Sequence, residues 1–267
     1  MTKDPTTASI IFAAGRGSRM KEYEGNKTLL PLVPDESPYR GTRPILVEII
    51  KNLPPGPKAL VVNYKKEEMI EATGSFDLTY CEQPQLNGTG GALLVCRKFL
   101  VEQDYDQLII TMGDVPLVKP ATYHKLLIEL KRYSMAVLGF QPEDKKKYGA
   151  LEIEEDEVVR ITEWKYWNKY PEDKQNQLNI MNAGIYAVRR DELLKYMDIL
   201  ELRPHKVSKE RNGKMVEIEE FFIPDLIEFM HNDGLKTGYV VTENEHEVMG
   251  VDDLSALEKA QELFRRE

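Results

Sequence analysis

The sequence predicts an α/β fold: a mostly parallel mixed sheet flanked by helices, followed by a smaller antiparallel lobe. Two observations carry this expectation. Up to Tyr133, short apolar runs of strand length alternate with helix-length stretches at short spacing, the pattern of strands joined by helical crossovers. After Tyr133 the strand-like runs follow one another with few helices between them. No internal repeat and no linker poor in apolar residues divides the chain. One domain over 1–267 is therefore expected, with halves at 8–133 and 134–250 and a closing helix at 251–267.

The elements follow in order. Ser9 to Ala13 is an apolar first strand, and a Gly-bearing loop runs from Gly15 to Thr28. Val33 to Pro44, rich in Pro, Ser, Arg and Gly, reads as a surface excursion. Ile45 to Leu53 is a helix stopped by Pro54-Pro55-Gly56-Pro57. Ala59–Asn63 and Phe76–Tyr80 are strands around a helix at Lys65–Ala72, and Gly88 opens a helix to about Leu100. Leu108–Thr111 is a strand and Ala121–Tyr133 a helix. Beyond them, Met135–Phe140, Ala150–Ile153, Val158–Thr162 and Asn182–Val188 are strands. Phe221–His231 is a helix, Gly238–Val241 a strand, and Leu254–Arg266 an amphipathic helix.

Composition narrows the function classes. A net charge of −9 argues against broad binding to nucleic acid or to anionic membrane. No apolar run approaches the roughly 20 residues of a membrane helix, and Met1–Thr7 lacks the apolar stretch of a secretory signal. Cys81 and Cys96 are too few for a disulfide framework or a zinc site, so a cytoplasmic location is expected. His124, His205, His231 and His246 are scattered without metal-ligand spacing.

Two stretches at predicted strand ends carry the chemistry. The first is Phe12-Ala13-Ala14-Gly15-Arg16-Gly17-Ser18-Arg19-Met20, with Lys27 behind it. Gly15 and Gly17 permit close backbone approach to phosphate oxygens, and Arg19 and Lys27 supply neutralising charge. The loop lacks the Gly-Lys-Ser/Thr ending of a Walker A motif, and Met20 stands where a dinucleotide fingerprint has its third glycine. The second stretch is Thr111-Met112-Gly113-Asp114-Val115-Pro116-Leu117, whose Asp114 suits a Mg²⁺ ion held beside phosphates, though an Asp before Pro116 also suits a plain turn. Ligands of parallel sheets bind at the carboxyl ends of strands, where both stretches sit.

These motifs resemble those of the sugar-phosphate nucleotidyltransferases, in particular the N-terminal uridylyltransferase domain of the bifunctional GlmU enzymes. The resemblance continues in order through Gln83-Pro84-Gln85-Leu86-Asn87-Gly88-Thr89-Gly90-Gly91-Ala92, Gly113-Asp114-Val115-Pro116-Leu117, Tyr148-Gly149, Glu163, Asn182-Ala183-Gly184-Ile185 and Gly250-Val251-Asp252-Asp253. It implies a Rossmann-like nucleotide-diphospho-sugar transferase fold with a nucleotide-binding first half and a sugar-binding second half. It implies transfer from UTP to a sugar 1-phosphate, N-acetylglucosamine 1-phosphate foremost, giving a UDP-sugar and pyrophosphate. Arg19 and Lys27 are then catalytic, and Asp114 and Asp252 hold Mg²⁺. Ala13, Ala14, Gly15, Gly17, Gln83, Gly88 and Thr89 bind the nucleotide, and Gly149, Glu163 and Asn182 the sugar.

Some positions depart from that pattern. Asp252 stands where GlmU has an asparagine, Ala150 and Leu254 where it has arginines, and the Val33–Arg43 segment is longer, suiting a lid or an interface. No hexapeptide repeats occur, so acetyl transfer is not expected, and the oligomer is a monomer or a homodimer. Either Asp252 or Asp253 suits the N-cap of the last helix, and Trp164 and Trp167 suit a sugar pocket or the core alike. Another base or sugar, or a silent nucleotide-sugar-binding relative, remains an alternative to the uridylyltransferase.

Overall fold

The computed structural model describes residues 5–15, 20, 23–145, 147–211 and 214–266. The chain opens with β1 (Thr7–Phe12) and a single 3₁₀ turn at Lys27–Leu29. Then come β2 (Pro31–Pro34), β3 (Gly41–Pro44), α1 (Ile45–Asn52), β4 (Lys58–Val62), α2 (Lys66–Thr73) and β5 (Thr79–Glu82). Next are α3 (Gly88–Leu94), α4 (Arg97–Glu102), β6 (Gln107–Met112), α5 (Pro120–Glu129), β7 (Met135–Phe140), β8 (Ala150–Glu154) and β9 (Glu157–Thr162). The remainder is α6 (Trp164–Trp167), α7 (Glu172–Gln177), β10 (Met181–Arg189), α8 (Arg190–Glu201), β11 (His205–Arg211), β12 (Lys214–Glu220), α9 (Pro224–Asn232), β13 (Thr237–Thr242) and α10 (Leu254–Phe264).

A nine-stranded sheet runs β13-β7-β10-β6-β1-β4-β5, with β8 paired to β10 and β9 to β8. β1 is parallel to both β4 and β6, β4 to β5, and β13 to β7, while β10 runs antiparallel between β6 and β7. Ile10, Ile11, Leu60, Ile109 and Ile110 are wholly buried, as in a sheet covered on both faces. The predicted mostly parallel mixed sheet is thus the observed one.

The central register builds the site. Phe12 pairs with Met112, so β1 and β6 end side by side. Gly113 N–H donates to Phe12 O at 2.8 Å, and a Cβ on Gly113 would lie 2.8 Å from Ala13 Cβ. Glycine is therefore what allows the two strand-end loops to touch. Val251 N–H then donates to Asp114 O at 2.8 Å, drawing the distant 250–253 segment onto the same edge.

Several elements differ from expectation. The strand expected at 76–80 lies at Thr79–Glu82, because Phe76 and Leu78 pack against the core from the loop before it. The helix expected from Gly88 to Leu100 breaks at Val95-Cys96 into α3 and α4. The Val33–Pro44 excursion contributes to a hairpin of β2 and β3, fastened by Gln261 Nε2 donating to Pro31 O and Pro38 O, both at 2.8 Å. The helices α6, α7 and α8 and the charged hairpin β11–β12 were not anticipated.

Candidate active site

Lys27 lies at the centre of the strand-end edge. Asn26 opens its 3₁₀ turn: Oδ1 accepts from Thr28 N (3.0 Å) and Thr28 Oγ1 (2.8 Å), and Nδ2 donates to Tyr64 O (3.0 Å). This lock directs the Lys27 ammonium onto Asp114 Oδ2 at 2.5 Å and Asp252 Oδ1 at 3.1 Å. Burial alone would lower the lysine's pKa, but the charges and hydrogen bonds of Asp114 and Asp252 outweigh it and hold it above the ordinary value. The lysine stays charged. Asp253, not Asp252, takes the N-cap of α10, accepting from Ala256 N at 2.9 Å.

One side of this centre is a cleft of about 470 Å³ lined by Ala13, Ala14, Gly15, Lys27, Gln83, Gly88, Thr89, Asp114 and Asp252. Gln83 is buried, its backbone pinned by Gln83 N to Val62 O (2.9 Å) and Asn63 Nδ2 to Gln83 O (2.6 Å). Its Nε2 donates to Asn87 Oδ1 (3.1 Å) and Gly88 O (3.2 Å), leaving Oε1 as the acceptor end of the amide. Gly88 has φ +91°, and a Cβ there would lie 2.3 Å from Phe221 O. The same carbonyl accepts from Gly90 N at 2.8 Å, Phe221 N donates to Asn87 O at 2.9 Å, and Ile223 N donates to Thr89 Oγ1 at 3.2 Å. The glycine turn is thus riveted to the segment entering α9.

On the other side a cleft of about 430 Å³ shares Thr89, Asp114 and Asp252 with the first and adds Gly149, Glu163 and Asn182. Asn182 N donates to Gly149 O at 2.8 Å, joining two of these positions directly. The Asn182 amide is partly committed: Oδ1 accepts from Gly184 N (2.9 Å) and Nδ2 donates to Tyr186 OH (2.9 Å), spanning a bulge in β10 where Gly184 has φ +73°. Glu163 is exposed as a residue, yet the cleft wall crowds its carboxyl. That burial raises its pKa above the usual glutamate value, and Lys165 offsets it only in part. Trp167 is core, its indole N–H donating to Tyr148 O at 2.9 Å, and Trp164 is partly exposed; neither lines the cleft.

Gly17 and Arg19 lie outside the described residues. Every other candidate residue lines the cleft, and Thr89, Asp114 and Asp252 line both halves. Sequence reasoning missed Met112, Lys147, Lys209, Glu220 and Phe222, which also line it. Lys209 pairs with the buried Glu220 across the β11–β12 hairpin. Met112 lies within the second stretch and Lys147 directly before Tyr148-Gly149, so both were within reach; Phe222 lies in the segment read as a helix, and Lys209 and Glu220 sit on a hairpin without a sequence signal.

Two carboxylate oxygens from distant segments converge on one cation here, the Lys27 ammonium. Such a pair fits Mg²⁺, which takes one or two carboxylates and completes its octahedron with phosphate oxygens and water. Among the described residues no group of three or more metal-ligating side chains occurs.

Residues 9–177 match the family described as the MobA-like NTP transferase domain. The bifunctional protein GlmU of Sphingopyxis alaskensis is 29% identical over 269 residues, covering 97% of this chain and 53% of GlmU. That of Koribacter versatilis is 28% identical over 272 residues, covering 97% and 52%. The chain thus spans about half the length of the curated relatives it matches. Among solved structures, a protein assigned as a glucose-1-phosphate thymidylyltransferase from Bacillus anthracis superposes with TM-score 0.70 at 20% identity, covering 97% of this chain and 95% of its own. A CMP:2-keto-3-deoxy-manno-octonic acid synthetase bound to CTP superposes with TM-score 0.64 at 16% identity, covering 98% and 99%. The fold is that of the nucleotide-diphospho-sugar transferases.

Proposed function

The chain belongs to the MobA-like NTP transferase family, and we propose that it joins UTP to a sugar 1-phosphate, N-acetylglucosamine 1-phosphate foremost, giving a UDP-sugar and pyrophosphate. The observation that carries this reading is the meeting of Lys27, Asp114 and Asp252 where the two halves of the cleft join. A triphosphate in one half and a sugar phosphate in the other would bring their reacting groups to that junction.

An oxygen of the sugar phosphate attacks the α-phosphorus; the new P–O bond forms as the bond to pyrophosphate breaks. The nucleophile is already an anion, so no general base is required, and the site's work is positioning and charge neutralisation. Lys27 exchanges its carboxylate partners for phosphate oxygens. The backbone at Ala13, Ala14 and Gly15, together with Gly17 and Arg19, holds the triphosphate. Gln83, with its N–H groups committed to Asn87 and Gly88, presents Oε1 to the imide N–H of uracil, beside Gly88 and Thr89. Gly149 offers its amide, Glu163 accepts from a sugar hydroxyl, and Asn182 uses its remaining amide hydrogen. Asp114 and Asp252 would hold Mg²⁺, which when bound neutralises phosphate charge.

The division into a nucleotide-binding half at 8–133, a sugar-binding half at 134–250 and a closing helix at 251–267 belongs to the same proposal. So does a cytoplasmic monomer or homodimer; no described helix is long and apolar enough to cross a membrane. The test is pyrophosphate release with Mg²⁺ across UTP, dTTP, CTP and GTP, each paired with N-acetylglucosamine, glucose and mannose 1-phosphates. UTP with N-acetylglucosamine 1-phosphate should turn over fastest. Silence across the panel, with UTP bound, would defeat the reading.

A further inference from the structure

We propose that Lys147 is the anion anchor of the acceptor half of the cleft, its ammonium receiving the phosphate of the incoming sugar 1-phosphate. This assignment rests on the transferase reading above.

Charge balance is the first argument. Among the described side chains lining the acceptor half, Lys147 is the one cation, set against the carboxylates of Asp114, Glu163 and Asp252. Lys27, at the junction, is paired with Asp114 and Asp252 and, once it turns to substrate, serves the triphosphate in the reading above. A phosphomonoester carries a charge of about −1.5 to −2 at neutral pH. Asp114 and Asp252 are the carboxylates assigned to Mg²⁺, which leaves Glu163 facing the incoming phosphate, and a cation on the acceptor's own side offsets that repulsion. Lys147 is exposed, and among the described residues its ammonium has no carboxylate or hydrogen-bond partner to give up.

Backbone geometry is the second. Lys147 has φ +76°, the left-handed region that an L side chain occupies at a cost and that glycine occupies freely. The conformation is held by the residues after it. Trp167 Nε1 donates to Tyr148 O at 2.9 Å, the Tyr148 ring meets Phe140 edge-on at 4.9 Å, and Gly149 O accepts from Asn182 N. A turn built this firmly would be easier with glycine at 147. Keeping a long cationic side chain there, on the cleft wall, points to a use for the cation.

The test compares Lys147→Met, Lys147→Gly and Lys147→Arg in the full chain with Mg²⁺. Loss of the charge should raise the acceptor KM about 10- to 100-fold, the range of a charged hydrogen bond, with the UTP KM unchanged. Arginine should retain acceptor affinity. Lys147→Gly should melt no lower than wild type, separating lost binding from lost folding. An acceptor KM within twofold of wild type in Lys147→Gly would overturn the assignment. If the wild type turns over no sugar 1-phosphate, the transferase reading fails separately, and calorimetry decides Lys147. Tighter binding of glucose 1-phosphate or inorganic phosphate to wild type than to Lys147→Met would sustain the anchor. Equal or absent binding would remove it.

Discussion

Replacing Gly88 by alanine tests whether the turn between Gln83 and α3 depends on the close approach of Phe221. The new Cβ would lie 2.3 Å from Phe221 O and 3.2 Å from Phe221 C, at a residue with φ +91°. The left-handed backbone costs an alanine about 1–2 kcal/mol. The displaced Phe221 carbonyl also accepts from Gly90 N at 2.8 Å, a bond worth about 1 kcal/mol. Forcing backbone apart adds about 1–3 kcal/mol. The expected loss is therefore about 3–6 kcal/mol. Gly234 supplies the control: it has φ +77° with nothing within 4 Å of a built Cβ, so Gly234→Ala carries the backbone cost alone. At about 2–4 °C per kcal/mol for a chain of this size, Gly234→Ala should melt a few degrees low and Gly88→Ala about 10 °C low. Calorimetry should also show Gly88→Ala binding UTP more weakly, because Gly88 O helps orient the Gln83 amide at 3.2 Å. Equal melting of the two variants, with UTP affinity intact, would refute the reasoning.

Three further substitutions probe charge. Lys27→Met removes the ammonium that Asp114 and Asp252 share, so it should melt below wild type without metal and show the larger Mg²⁺-induced rise in Tm. Because the folded pKa of Lys27 lies above its ordinary 10.5, its contribution is full below pH 10.5 and fades as pH rises through the folded value; titrated melts should show the two proteins converging there. Burial alone would raise the pKa of Glu152, but hydrogen bonds from Arg160, Thr162 and Tyr170 hold it at about 2 against an ordinary 4.5. Its stabilisation, about 3 kcal/mol, is present above pH 4.5 and lost toward pH 2. Glu152→Gln should lose it at pH 7 and show a flatter acid limb in urea unfolding. The crowded carboxyl of Glu163 has its pKa raised, so its ionised form opposes folding above pH 4.5. Glu163→Gln should melt at or above wild type at pH 7 while raising the acceptor KM in pyrophosphate-release kinetics.

The centre of the fold was legible because its strands are continuous apolar runs. Ile10-Ile11-Phe12, Leu108-Ile109-Ile110 and Met135–Phe140 are short apolar runs of strand length, and they are buried. The edge was not. Thr79–Glu82 pairs on one side only and is polar, so the apolar Phe76 and Leu78 beside it attracted the strand assignment. α8 carried a helical signal, with Leu193, Tyr196, Met197 and Leu200 buried along one face, that the strand-rich reading of the second half passed over. The β11–β12 hairpin offered none: it is dense in Lys and Glu, and among the described side chains of β12 only Ile218 and Glu220 are buried. Lys209 and Glu220 stayed hidden with it. At the site, glycines and lone acids in tight motifs marked the strand ends correctly. The commitment of Asn182 to Gly184 and Tyr186 depends on a bulge that sequence does not reveal.

The central claim is that the Lys27–Asp114–Asp252 junction performs nucleotidyl transfer. The most direct measurement is the rate of pyrophosphate release from UTP and N-acetylglucosamine 1-phosphate by wild type and by Asp114→Ala. The account predicts turnover by the wild type and a loss of about 10³-fold in the variant, the scale of removing a main charge-stabilising group. Rates within tenfold of each other would contradict it.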